Sequence, residues 1–162
     1  MKSRAKAFTL MELLIVIVIL AVLSVLLGTS YIKMASAARF NNAKTDIVNM
    51  IQKARSLSLS NILINDTEPT DYYVLTLEVG EVSIEAYASD GTSETITSLP
   101  LDSSFSFDTS LSVLYVPPYG DVCFDNIACA STDTTRDLIL TDTYGHTATF
   151  TIDVNGGYVE VN

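Results

Sequence analysis

The sequence predicts an α+β protein: a long N-terminal helix whose second half packs on an antiparallel β-sheet head. Three observations predict it. An apolar run, Leu13–Leu27, is interrupted only by Ser24. A stripe at helical spacing follows at Phe40, Ala43, Ile47, Met50, Ala54 and Leu57. Beyond residue 61, apolar and polar residues alternate between turn signals.

The apolar run alone would rise only about 22 Å as a helix, short of a hydrocarbon layer of roughly 30 Å. Extended over residues 8–32, accepting Thr9, Glu12, Gly28, Thr29 and Ser30, it rises about 37 Å and spans the layer. Lys2, Arg4 and Lys6 precede it. They hold the N-terminus in the cytoplasm, which leaves the rest of the chain outside. A secretory signal is the competing reading, since Ala35-Ser36-Ala37 is a small-residue cleavage pattern. That triplet follows Lys33, well past the run and inside the continuing helix.

No Pro or Gly stands between Thr29 and Asn61, so the helix is expected from about Thr9 to about Ser60, roughly 75 Å. Its first half is apolar all round and belongs among lipids or other copies of itself. Its second half, residues 33–61, is amphipathic and belongs against its own head, residues 62–162.

Charge divides at the same place. Residues 1–55 hold eight of the nine basic residues against Glu12 and Asp46, and residues 56–162 hold seventeen acids and Arg136. A head this acidic repels phosphate backbones and anionic lipid, so no nucleic-acid partner is expected.

Within the head, Tyr72–Glu78 reads as a strand turning at Gly80-Glu81 into Val82, Ile84 and Ala86, which alternate with polar residues. Asp90-Gly91 marks a turn, and short strands follow around Ile96, Phe105–Phe107 and Leu111–Val116. Pro117-Pro118-Tyr119-Gly120 breaks the chain. Asp137–Leu140 and Thr147–Val154 are strands, and Asn155-Gly156 returns the chain through Tyr158–Val161 as a tight hairpin.

The segment Lys6-Ala7-Phe8-Thr9-Leu10-Met11-Glu12-Leu13-Leu14, followed by the apolar helix, resembles the processing site of type IV prepilins and pseudopilins. The resemblance implies that a prepilin peptidase removes residues 1–7, cutting between Ala7 and Phe8, and methylates the new amino group of Phe8. Glu12 becomes the family's fifth-position glutamate, which serves assembly by pairing with the Phe amine of a neighbouring subunit. Ala7 stands where the family usually has glycine. Ala21 and Thr29 stand where many major pilins have glycine and proline, so the resemblance points to a minor subunit. Over residues 111–162 the order of turns and strands is similar to that of GspH/FimT-like minor pseudopilins and pilins; the DNA uptake of the FimT-like members depends on basic residues, of which this head offers only Arg136 and His146.

The charge of Glu12 can be weighed without the family. Inserting a carboxylate at the edge of an apolar span costs up to about 3 kcal/mol. An ammonium four residues away, at about 4 Å and an effective dielectric of 20, returns on the order of 4 kcal/mol. A paired Glu12 is tolerable there and an unpaired one is not.

No catalytic set accompanies the single histidine, His146, which reads as a turn residue, so no enzyme activity, cofactor or metal is expected. Asp121, Asp125, Asp133, Asp137 and Asp142 match no EF-hand spacing, and a solvated loop is their default. Cys123 and Cys129, in an exported segment, read as a disulfide, with two buried thiols as the alternative. Asn65-Asp66-Thr67 fits a glycosylation acceptor pattern.

The expectation is a structural, minor subunit of a type IV pilus, competence pilus or type II secretion pseudopilus. Its partners are other pilin subunits, the prepilin peptidase, the inner-membrane assembly platform and membrane lipid. It is anchored by a single pass before assembly and lies in a periplasmic or cell-surface filament after it. The alternative is an anchored adhesion or binding module that does not polymerise.

Overall fold

The computed structural model describes the backbone of residues 9–60, 63–64, 68–124, 134–154 and 157–162, with side chains for all of these except 25–30, 63–64 and 68. One helix, α1 (Leu10–Ser60), runs unbroken through 51 residues. The chain divides into two compact units, Met1–Arg39 and Phe40–Asn162.

In the first unit the large apolar side chains between Leu10 and Leu23 are all 47–82% exposed, around the whole circumference of the helix. Ser24, the polar interruption, donates its hydroxyl to the Leu20 carbonyl at 2.7 Å, so it brings no unsatisfied group into the run. Among the described residues no helix is long and apolar enough to cross a membrane. The expected crossing runs over residues 8–32, of which residue 8 and the side chains of 25–30 lie outside the described residues. It is therefore not carried by the described stretch alone.

Among the described residues of the second unit, ten strands follow α1: β1 (Leu63–Ile64), β2 (Glu68–Glu78), β3 (Glu81–Ala88), β4 (Ser93–Pro100), β5 (Phe105–Phe107), β6 (Leu111–Val116), β7 (Asp121–Phe124), β8 (Thr135–Asp142), β9 (Thr147–Asp153) and β10 (Val159–Val161). They form two antiparallel sheets, one ordered β4-β3-β2-β6-β7 with β1 beside β2, the other β10-β9-β8-β5. The core draws on all three layers. The helix supplies Phe40, Ala43, Ile47, Met50, Ile51 and Ala54, the first sheet Leu75, Val82, Ile84 and Val113, and the second Leu138, Leu140, Phe150 and Ile152.

The helical stripe is wider than the sequence spacing suggests. Ile51, one turn beyond Ile47, is fully buried, and Leu57 is only partly so. Strand β2 begins at Glu68 rather than Tyr72, because Pro69 faces only the two-residue β1, where a missing N–H costs little. The Pro117–Gly120 turn ends β6, and β7 returns along it with Tyr115 opposite Val122. Asn155-Gly156 lies outside the described residues, but Val159 pairs with Ile152 across that connection.

Candidate functional site

The start of α1 is built from two residues of one short motif. Thr9 precedes the first helical residue, and its hydroxyl accepts the backbone N–H of Glu12 at 3.2 Å. The Glu12 carboxylate reaches back to the Thr9 backbone N–H and hydroxyl, each at 3.3 Å. This reciprocal pattern, Thr-x-x-Glu, is a capping box that satisfies exposed N–H groups at the helix start. Glu12 thus has a partner within its own chain, which the sequence reading did not assign. The spacing of Thr9 and Glu12 was the available signal. Ala7 and Phe8 lie outside the described residues.

Cys123 is buried on β7 opposite Leu114, and no cysteine is free among the described residues. Cys129, its expected partner, lies outside them. Of the aspartates, Asp125 and Asp133 lie outside the described residues, and Asp137 accepts the Thr151 hydroxyl at 2.6 Å across β8 and β9. Asn65-Asp66-Thr67 is likewise outside. No group of three metal-ligating side chains occurs among the described residues.

His146 is more constrained than a plain turn residue. Its Nδ1 lies 2.7 Å from Asp142 Oδ2, and its ring packs on Phe40 at 5.5 Å. Asp142 Oδ1 accepts the backbone N–H groups of Tyr144 and His146, which closes the β8–β9 turn. Burial alone would push the Asp142 carboxyl up, but the hydrogen bonds from His146 and Tyr144 outweigh it and hold the group below its ordinary 3.8. A depressed carboxyl stabilises the fold above its unfolded value and loses that contribution as pH falls through the folded one. Asp142→Asn should therefore lower the melting temperature at neutral pH, and the gap to the parent should close below about pH 4. Thermal melts across pH check this. A gap that is constant with pH would remove the carboxylate from the account.

Residues 2–28 match the model of the prokaryotic N-terminal methylation motif. That is the motif of prepilin-type chains, and it covers the basic leader, Phe8, Glu12 and the apolar helix together. The methylation motif supports a type IV pilin-like family. No curated protein and no solved structure matches the chain.

Proposed function

We propose that the chain is a structural subunit of an exported filament of the type IV pilus and type II secretion pseudopilus class. The carrying observation is the methylation motif over residues 2–28. In this reading the peptidase cuts between Ala7 and Phe8 and methylates Phe8. The apolar half of α1 anchors the precursor in the inner membrane, with the N-terminus in the cytoplasm, and then packs among neighbouring subunits on the assembly platform. Two features support it. The large apolar side chains described between Leu10 and Leu23 are exposed, as suits a helix buried in lipid or in other copies. The second unit has its own core and keeps its acidic surface outward. Cys123 pairs with Cys129 in this reading, closing a short exported loop worth on the order of 2–3 kcal/mol.

Mass spectrometry of the protein from cells with an active prepilin peptidase tests the reading. The expected species begins at N-methyl-Phe8. A non-polymerising anchored module keeps Met1, and a secretory product begins at Ala38; either result overturns the subunit assignment.

A further inference from the structure

We propose that the head carries a carboxylate-binding cleft built on Arg55, and that it receives the β2–β3 turn of a second copy of this chain. The proposal rests on the filament reading above.

A cleft of about 360 Å³ lies between Gln52, Arg55, Ser56 and Leu59 of α1 and the segment Gly157–Val159 that leads into β10. The Arg55 guanidinium carbon sits 4.1 Å from the Tyr158 ring centroid, so stacking holds the planar group in place. Among the described residues Arg55 meets no carboxylate and no hydrogen-bond acceptor. A fixed guanidinium whose N–H edge meets no acceptor among the described residues is suited to bidentate capture of a carboxylate. Gly157 keeps this wall close. A Cβ there would lie 2.9 Å from the Tyr115 ring and 3.5 Å from Arg55 Cδ.

The complementary group stands on the same chain. Glu78 and Glu81 face each other directly across the β2–β3 hairpin, both exposed, with no ion pair among the described residues. Like charges in directly opposed positions are destabilising, and a cation from outside relieves them. Between them Val79 is 71% exposed, and the cleft offers it Leu59 and Tyr158, themselves 51% and 64% exposed. A carboxylate pair flanking an apolar tip thus fits an arginine flanked by apolar side chains. A polyanion is disfavoured, because the surrounding head holds seventeen acids against one base.

The two surfaces lie at opposite ends of the head. Gly120 approaches Leu59 and Ser58, and Gly157 approaches Tyr115, so the cleft sits at the Tyr115 end of the first sheet. There Tyr73 pairs with Tyr115. From Tyr73, β2 runs past Leu77, opposite Leu111, to Gly80, about 23 Å away. A contact between unlike ends of two copies is heterologous, and in the filament reading, where its rotation does not close a ring, it propagates along the fibre. Copies that adjoin in this way make the chain a repeating subunit rather than the sparse one that Ala21 and Thr29 suggest.

Charge exchange in the full-length protein tests the contact, read as filament recovered by shearing intact cells. Arg55→Glu alone, and Glu78→Arg with Glu81→Arg, are each expected to lower recovery about tenfold, and all three changes together to restore most of it. Independently, Ser56→Cys with Val79→Cys leaves Arg55 in place and should yield a ladder of this chain's multimers in sheared filaments under a short bismaleimide. The parent without added cysteines gives no ladder. Parent-like recovery of the single reversals, or crosslinks to a different protein only, would overturn the proposal. Filaments whose subunits begin at N-methyl-Phe8 would still uphold the subunit reading in that case.

Discussion

Glu12→Leu is expected to be exported, cut after Ala7 and held in the membrane, yet largely lost from sheared filaments. The leucine leaves the basic leader and apolar run intact and suits lipid better than a carboxylate, which costs up to about 3 kcal/mol to insert. It removes two things at once. One is the capping box, in which Glu12 accepts from the Thr9 backbone N–H, worth about 1 kcal/mol. The other is the attraction between the carboxylate and the ammonium that the proposed processing would create at Phe8, on the order of 4 kcal/mol at about 4 Å. Glu12→Gln separates them, because glutamine at this position keeps the cap but carries no charge. Immunoblots of sheared filaments against the membrane fraction read the outcome. Loss in both variants assigns assembly to the charge, and loss in the leucine variant alone assigns it to the cap. Full recovery of both would leave Glu12 without an assembly role.

The parts of the fold written in local periodicity were legible. The helix ends within a residue of Thr9 and Ser60, since no proline stands between them and Asn61 follows the last helical residue. Val82, Ile84 and Ala86 are buried as alternation requires, and Phe105–Phe107 and Leu111–Val116 fall where expected. What was not legible depends on long-range pairing. The division into two sheets follows from β5 choosing β8, with Phe105 opposite Asp142, and no local pattern encodes that choice. The site shows the same contrast. Glu12 stands out in sequence by its spacing from Phe8, whereas its bond to Thr9 is written in a different local signal, the Thr-x-x-Glu capping spacing. Arg55 reads in sequence as one more base on a polar helix face. Only the return of the chain through Gly157 and Tyr158 makes it a cleft.

Gly157→Ala should lower the melting temperature of the full-length protein in detergent by about 10 °C, and Gly145→Ala by about a third of that. Both glycines have left-handed backbones, φ +61° and φ +86°, so any Cβ carries a conformational cost of roughly 1–2 kcal/mol. At Gly145 that is the whole cost, since nothing lies within 4 Å of the new methyl. At Gly157 the methyl would stand 2.9 Å from both Tyr115 Cε1 and Val122 Cγ2. Neither neighbour can yield cheaply: Tyr115 is fully buried, Val122 is 3% exposed, and the two are paired across β6 and β7. Overpacking of this kind adds about 1–3 kcal/mol. The difference between the two variants isolates packing from backbone strain. Equal shifts would mean that the β9–β10 connection moves aside without cost, and that Tyr158 is not held over Arg55 by the packing beneath it.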